Sequence, residues 1–405
     1  MLNAVGIDVS KGKSTVAVLR PGGEIVRKPF NVPHSAKGLS ELVAYIQSLD
    51  GDTKAAMETT GHYHEPILRA LQDAGIFACA VNPSLIKRHD CDEKPLRHVK
   101  SDPADAKKIA RYALDKWKDL RQNSAMDTTR TKLKTLNSQF QFFMEQKVAL
   151  KNNLISLLEL TYPGANSLFD SPVRSDGHEK WVDYVYAFWH VDCVCKNGLE
   201  DFTTRYQNFC KENGYNFQPR KPKELFDAAK ELVAVVPNDS DYKQLIFSNI
   251  EQLNDVSKQI EFLRCKMNEI ASTLPEYETV MSMYGVGPTL GPQLIAEIGD
   301  VTRFDHRSAI TAFAGVDPGV NQSGKANYES NRASKHGSPR LRKTLFQIMM
   351  ALLQLAPVDD PVYCFMMKKK AEGKPYHVYM TAGANKFLRI YYGKVKDALA
   401  TKAAT

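Results

Sequence analysis

Four acidic residues near the N-terminus constrain the fold of this chain more than any other feature. Asp8 lies inside a short apolar run, and Glu58 closes a second one. Asp102 and Asp105 stand three residues apart at the start of a helical pattern, so both lie on one helix face. Acids on strand ends and on one helix face can converge on Mg²⁺, which prefers oxygen ligands, and two such ions about 4 Å apart clamp the oxygens of a phosphoryl transfer. The sequence therefore predicts these four residues as Mg²⁺ ligands.

The pattern around these acids predicts an α/β domain over residues 1–123. Residues 4–9 and 14–19 have the pattern of two strands joined by a tight turn, and a third run extends the meander. Helical and strand patterns then alternate. The order β-β-β-α-β-α-β-α is that of an RNase H-like or RuvC-like nuclease domain, with the first acid on the first strand and the second at the end of the fourth.

Two long heptad patterns predict an all-α middle region, residues 124–274. The first pattern covers residues 133–157, with Lys147 as its one polar intruder, and the second covers residues 246–274. Sustained a/d spacing favours a coiled coil, formed within the chain, between chains or both, although two helices buried in an ordinary bundle give the same pattern. Residues 161–240, between the two patterns, are rich in aromatic residues and are predicted to be an irregular insertion.

A glycine-rich turn opens a third predicted domain, residues 275–405, which is helical. Gly285 and Gly287 precede an apolar helical pattern, as in a helix-hairpin-helix element. Glycines let the backbone approach a phosphate, and the N–H groups at the start of the next helix point toward it. Both glycines are therefore predicted to contact nucleic acid. The alternative is a plain glycine turn between packed helices.

Basic residues are concentrated in the next stretch. Between positions 303 and 343 there are eight Lys or Arg and three acids. Small and basic residues in one loop leave room for a phosphate backbone and neutralise it. The predicted nucleic-acid contacts are Lys325, Arg332, Lys335, Arg340 and Arg342.

The same stretch contains four serines that are candidates for a nucleophile. A serine flanked by glycine, with guanidinium groups nearby, can attack phosphorus. Composition alone does not choose among Ser323, Ser330, Ser334 and Ser338. The alternative is a solvated basic loop that only grips DNA.

The charge and the cysteines indicate the class of partner and the compartment. A formal charge of +8 fits an anionic partner, most simply nucleic acid. Seven cysteines without regular spacing indicate reduced thiols and a cytoplasmic protein. No signal peptide is expected, and the longest apolar run near the C-terminus is too short to span a bilayer.

Three other protein classes fit the sequence less well. A P-loop needs four residues between its glycines, whereas five separate Gly6 from Gly12. A sugar-kinase or actin-like ATPase needs further glycine-rich phosphate loops. A non-catalytic nucleic-acid-binding protein would use its acids only structurally, for example to pair with Lys107 or Lys108, and metal-dependent strand breakage distinguishes it.

A zinc site is the remaining chemical alternative in the middle region. His190, Cys193, Cys195 and Cys210 are suitable ligand types. Their spacing is not that of a usual zinc knuckle, and apolar neighbours surround them. Buried core cysteines are therefore the favoured interpretation.

Taken together, these motifs resemble the DEDD group of bacterial insertion-sequence transposases, the IS110 family, which includes pilin-gene-inverting recombinases. The resemblance rests on residues 6–11, 57–61 and 100–106 at one end and on residues 285–342 at the other, and it extends over residues 1–160 and 240–395. It implies a RuvC-like DEDD domain joined to a C-terminal serine transposase domain. In that family the serine precedes a glycine and follows a Gly-x-x-Pro segment, so Ser323 becomes the expected nucleophile.

The resemblance also implies partners. Expected are donor and target DNA, a structured guide RNA from the non-coding end of the element, and a second protomer that shares a composite site. A dimer or tetramer built through the coiled coil, associated with the bacterial nucleoid, would meet these requirements. A conventional two-metal RuvC-like nuclease without a covalent intermediate remains the alternative reaction.

Overall fold

The computed structural model describes residues 1–59, 61–92, 101–122, 127–318, 322–323, 326–327 and 333–404. The chain divides into two compact units, Met1–Ala125 and Met126–Thr405. The first unit is α/β and the second is almost entirely helical, as the sequence predicts.

A five-stranded sheet forms the centre of the first unit. Its spatial order is β3-β2-β1-β4-β5. The first three strands form an antiparallel meander, and β4 and β5 run parallel to β1. The strands are β1 (Leu2–Ser10), β2 (Lys13–Leu19), β3 (Ile25–Pro33), β4 (Asp52–Glu58) and β5 (Phe77–Val81).

Helices cover both faces of this sheet. One face packs on α1 (Ala36–Gln47) and α2 (Glu65–Asp73), and the other carries α3 (Pro83–Asp92) and α4 (Asp102–Asp115). The observed order of strands and helices confirms the order predicted from the sequence. A strand follows the turn at Gly12, whereas a P-loop would be followed by a helix, so that alternative is excluded.

Two long helices pack along each other in the second unit: α5 (Thr128–Thr161) and α10 (Ser240–Ser272). The predicted apolar seams face each other within the chain, with Phe140 and Leu263 among their buried positions. The polar intruder Lys147 pairs with Glu179 at 3.1 Å, so its ammonium group is neutralised beside the seam.

The middle of the chain is helical, so the prediction of an irregular insertion at residues 161–240 is wrong. Four short helices fold there, and their aromatic side chains form a core with the far ends of α5 and α10. They are α6 (Lys180–Ala187), α7 (Val191–Cys195), α8 (Gly198–Glu212) and α9 (Lys221–Lys230). The helical period is present in the sequence, because the buried residues of α8 lie at positions 202, 206, 209 and 210 and those of α9 at 222, 225, 226 and 229.

The other ends of α5 and α10 pack into a second core with the C-terminal helices. Among the residues that the structure describes, no helix is both long and apolar enough to cross a membrane. The C-terminal elements are α11 (Tyr277–Met281), α12 (Leu290–Ile298), α13 (Arg307–Ala314), the short ladder of β6 (Gln322–Ser323) and β7 (Ala326–Asn327), α14 (Pro339–Leu355), α15 (Pro361–Ala371) and α16 (Tyr376–Ala404).

Candidate active site

The alternation of β1 places Asp8 on the face of the sheet that α4 covers. Val5 and Ile7 point into the core beneath α1 and α2, whereas Ala4 belongs to the core beneath α4. Because successive side chains of a strand point to opposite faces, Asp8 lies on the side of Ala4. Ala56 of β4 packs on the same side, so Glu58 lies there too.

Gly6 lets α4 approach this face closely. A Cβ atom at position 6 would overlap the carbonyl oxygen of Ala106 and the backbone nitrogen of Ala110. The backbone of α4 therefore rests directly on β1, two residues before Asp8. Glycine is required here for the contact between a strand and a helix rather than for an unusual φ angle.

The first turn of α4 carries the other two acids. Asp102 and Asp105 precede Ala106 and Ile109 on the face of the helix that packs on the sheet. An acid in the first helical turn is stabilised by the unpaired N–H groups there. Asp105 also pairs with Lys108 at 3.3 Å. The close packing at Gly6 thus carries both acids to the end of β1.

The four predicted carboxylates share one electrostatic environment. Burial and, to a smaller extent, the negative charges of Asp105, Asp102 and Glu58 together raise the pKa of Asp8 to about 6. Among the described residues, no group of three or more His, Cys, Asp or Glu side chains is already arranged to hold a metal ion. The four acids are therefore near neighbours whose side chains are not in a closed ligand geometry.

Their chemistry fits a hard divalent cation. All four offer carboxylate oxygens, the donors that Mg²⁺ prefers. Like charges held together in a half-buried place favour protonation, as the raised pKa of Asp8 reflects, and a bound cation reverses that preference.

In the second unit, the backbone on one side of residues 319–332 contacts the backbone on the other side. Pro318 and Ala333 form an isolated antiparallel bridge. The next residue, Ser334, donates two hydrogen bonds to Asp317. Its hydroxyl donates to the carboxylate at 2.6 Å, and its backbone N–H donates to the backbone carbonyl at 2.9 Å. Within this stretch, Gln322 pairs with Asn327 and Ser323 with Ala326.

The four candidate serines have different surroundings. Ser334 is bonded to Asp317, and Ser338 caps α14 while donating its hydroxyl to Glu297 at 3.0 Å. Ser323 lies on the backbone ladder, whereas Ser330 and the neighbouring Gly324 lie outside the described residues.

Of the predicted phosphate contacts, Lys325 and Arg332 also lie outside the described residues. Lys335 is exposed, with a φ of 55°. Arg340 donates to the hydroxyl of Ser138 at 2.6 Å. Arg342 donates to the carbonyls of Ala314 and Gly337, so it also has a structural role at the base of the loop that the sequence did not predict.

The glycine turn before α12 joins two helices, and α11 is only five residues long. A Cβ at Gly285 would lie 2.9 Å from the carbonyl oxygen of Ile348, and the φ of Gly285 is +76°. Packing on α14 therefore accounts for this glycine. Gly287 has open space around it, which leaves room for the predicted contact with nucleic acid.

A buried polar network behind the loop was not recognised in the sequence. Glu297, 6 % exposed, accepts a hydrogen bond from Nδ2 of Asn137 at 2.8 Å. One turn earlier on α12, Gln293 accepts a hydrogen bond from Gln141, which in turn accepts one from Lys343. The sequence does contain a signal for this network, because the polar residues Gln293 and Glu297, four positions apart, interrupt an otherwise apolar helix.

The zinc alternative is not supported by the geometry. His190 caps α7 by accepting a hydrogen bond from the amide of Asp192, and its other ring nitrogen contacts the carbonyl of Val236. Cys210 is buried, and Cys193 and Cys195 pack against the aromatic core. The cysteines are therefore core residues, as favoured from the sequence.

Family models match both ends of the chain. A model described as the DEDD transposase of IS110 matches residues 5–163, and one described as "Transposase IS116/IS110/IS902 family" matches residues 277–363. Together they include all four acids and all four candidate serines.

Two similar proteins from Streptomyces extend over nearly the whole chain. The "Mini-circle putative transposase for IS117" of Streptomyces coelicolor is 24% identical and covers 98% of this chain and 94% of its own length. The "Insertion element IS116 uncharacterized 44.8 kDa protein" of Streptomyces clavuligerus is 21% identical, with 97% and 94% covered.

Among solved structures, Thermus thermophilus RuvC, alone and in complex with a Holliday junction substrate, aligns with 29% of this chain and 96% of its own. The TM-score is 0.23 and the identity 14–15%. The two family models and the full-length similarities show that the chain belongs to the IS110 family of insertion-sequence transposases.

Proposed function

We propose that this transposase cuts and rejoins DNA at the ends of its element and at the target through a phosphoserine intermediate. Mg²⁺ would be held by Asp8, Glu58, Asp102 and Asp105, and Ser323 would be the nucleophile. The observation that carries the proposal is the convergence of acids from β1, β4 and the first turn of α4, where Gly6 lets α4 rest directly on β1. Burial, together with the charges of the other three acids, raises the pKa of Asp8 to about 6.

The carboxylates have a defined task in this scheme. When bound, Mg²⁺ would polarise the scissile phosphate and offset the charge that develops on its oxygens. Asp8 and Glu58 are anchored on neighbouring parallel strands, and Asp102 and Asp105 on the helix that packs over them. Three different elements thus set the positions of the proposed ligands.

In the proposed step, Oγ of Ser323 attacks phosphorus and loses its proton. A new P–O bond forms to the serine while the P–O bond to one deoxyribose oxygen breaks, and that oxygen leaves as a hydroxyl. A hydroxyl of the partner strand then attacks the phosphoserine and releases Ser323. The number of P–O bonds is conserved, so rejoining needs no ATP.

Ser323 is proposed because it precedes a glycine and follows a Gly-x-x-Pro segment, whereas Ser334 and Ser338 have structural hydrogen bonds. The hydroxyl of Ser334 is donated to Asp317, and that of Ser338 to Glu297. Each of these two side chains joins separate parts of the backbone near residues 319–332, so each has a structural role there. The proposed phosphate contacts around the serine are Lys325, Arg332, Lys335, Arg340 and Arg342, with Gly287 and Gly285 at the preceding turn.

A structured guide RNA and a second protomer complete the proposal. The resemblance to the family supports both, since a composite site needs two DNA segments held together. The apolar seams of α5 and α10 are already buried against each other. An oligomer would therefore use the outer face of this helix pair, where Phe142, Val148 and Phe262 are exposed.

The test of the chemistry is a trapped protein–DNA adduct, digested and mapped by mass spectrometry. A phosphodiester at Ser323, lost in Ser323→Ala, supports the scheme, and Ser334→Ala and Ser338→Ala should keep the adduct. An adduct at another serine would contradict it. Free 3′-hydroxyl ends without any adduct would indicate a conventional two-metal nuclease.

The guide RNA and the oligomer have separate tests. Treatment with RNase should abolish site-specific recombination, and unchanged recombination would rule out the guide. Sedimentation of the purified protein should show a dimer or tetramer, and Phe262→Glu should shift it toward the monomer, whereas a monomeric wild type would rule out the oligomer.

A further inference from the structure

The last two helices carry most of the excess positive charge of the chain. Residues 361–404 contain nine Lys or Arg and two acids, an excess of seven, whereas the whole chain has a formal charge of +8. The C-terminal family model ends at residue 363, so this pair of helices lies almost wholly beyond it. The proposed chemistry uses none of these residues.

Basic groups from both helices come together around one aromatic ring. The ammonium of Lys369 on α15 lies 5.7 Å from the centre of the Phe365 ring, and that of Lys386 on α16 lies 4.8 Å from it. Arg389 follows Lys386 by three residues on α16, which places the two side chains on adjoining parts of one helix face. Arg389 and Lys394 are exposed.

These charges have few partners within the protein. In the part of the chain that the structure describes, Lys369 pairs with Glu372 at 2.7 Å, Lys396 donates to the hydroxyl of Tyr392, and Lys402 donates to the carbonyl of Pro275. Lys386 lies over a ring, which leaves its charge uncancelled. Like charges held on one surface repel each other, and a polyanion that binds there relieves the repulsion.

We propose that the exposed basic face of α15 and α16, centred on Lys386, Arg389 and Lys394, binds the phosphate backbone of duplex DNA without reading its sequence. Eight of the nine basic residues are lysines. A lysine ammonium acts as a point charge, whereas an arginine guanidinium can make paired hydrogen bonds to a base. Lys386 and Lys394 are separated by roughly 12 Å along the helix, or three to four nucleotide steps of one strand. DNA is chosen because it is the substrate of this family.

The experiment measures binding rather than cleavage. The full-length triple variant Lys386→Gln/Arg389→Gln/Lys394→Gln is compared with wild type for binding of a labelled duplex of random sequence, by fluorescence anisotropy over a range of salt. Each lost phosphate contact removes about 0.9 from the slope of log affinity against log salt, so the slope should fall by roughly 2–3. The affinity at ~0.1 M salt should fall about 10- to 100-fold.

A matched control removes the same charge elsewhere. Lys211→Gln/Lys223→Gln/Lys243→Gln alters three exposed lysines of the middle helices and should leave the slope near that of wild type. An equal slope in both triple variants would overturn the proposal. A loss confined to a structured RNA of equal length would overturn the choice of DNA.

Two further measurements keep the result interpretable. The melting temperature of the triple variant should match that of wild type, and if the triple variant does not fold, Arg389→Gln alone should lower the slope by about 0.9. Binding is measured without Mg²⁺, so failure here leaves the serine chemistry untouched. Equally, the absence of a Ser323 adduct would not affect this surface.

Discussion

The buried carboxylate of Glu297 accepts a hydrogen bond from Oγ of Ser338 at 3.0 Å, and that same Oγ accepts one from the backbone of α14. Ser338 follows the serine-bearing loop by only a few residues. The other oxygen of Glu297 is bonded to Asn137 on α5. One side chain on α12 therefore joins the long helix to the end of the loop.

Replacing Glu297 by leucine should destabilise the second unit. The amide of Asn137 and the hydroxyl of Ser338 would be left buried without their partner, which costs about 2–4 kcal/mol in the free energy of unfolding. Glu297→Gln should cost less, since an amide can still accept from Asn137 and donate to the serine. Urea denaturation checks both changes. The exposed Glu278→Leu on α11 is the control, and equal losses in Glu278→Leu and Glu297→Leu would contradict the network.

Gly6→Ala should displace α4 and separate the two pairs of acids. The added methyl would overlap the backbone of α4 at Ala106 and Ala110, and overpacking of this kind costs at least about 1–3 kcal/mol. Metal-dependent DNA cleavage should be lost even where the variant still folds. Gly393→Ala is the control because nothing lies within 4 Å of its Cβ, so it should be neutral or slightly stabilising. Full cleavage by Gly6→Ala would show that α4 need not approach β1 closely.

Asp8→Asn should stabilise the metal-free protein at neutral pH. The folded-state pKa of Asp8 is raised from 3.8 to about 6, so the charged carboxylate opposes folding, and this penalty grows as the pH rises through that window. After allowance for solvent screening, the gain above pH 6 should be about 1 kcal/mol. It should vanish below roughly pH 4, where the acid is protonated in both states. Thermal melts in EDTA at several pH values measure the gain, and a constant difference would contradict the raised pKa.

Magnesium should stabilise the wild-type protein and leave Asp8→Asn nearly unchanged. A ligand at ten times its dissociation constant adds about 1.4 kcal/mol to the stability of the state that binds it. The melting temperature of wild type should therefore rise with Mg²⁺ and fall back with EDTA. Asp73→Asn removes an exposed acid of the same unit and should respond like wild type. An equal rise in Asp8→Asn would place the ion elsewhere.

Much of the first unit is predictable because its determinants are local. Strand alternation, the Gly12 turn and the acids at positions 8 and 58 can be recognised within a few residues of sequence. The role of Gly6 is not predictable in this way, because it depends on a helix that lies a hundred residues farther along the chain. The sequence shows a glycine in a strand but not the backbone that packs against it.

The second unit shows the same contrast. The seams of α5 and α10 repeat often enough to be recognised, whereas the middle helices bury Tyr184, Phe202 and Tyr206 through contacts among several short elements. The excess of lysine in α15 and α16 is evident from the composition of the sequence, but these lysines belong to no recognised motif. The hydrogen bonds of Ser334 and Ser338 become apparent only once Asp317 and Glu297 are placed in space.

The paired helices α5 and α10 carry a separate core at each end. Leu133 and Met267 belong to the C-terminal core, and Leu158 and Ile246 to the aromatic core of the middle helices. A helix of this length extends about 50 Å. The aromatic core is therefore built on one end of the same helix pair whose other end contributes to the C-terminal core. Shortening α5 and α10 by matching whole turns between the two cores would bring the aromatic core closer to the C-terminal core, which offers a way to change how far the middle helices reach.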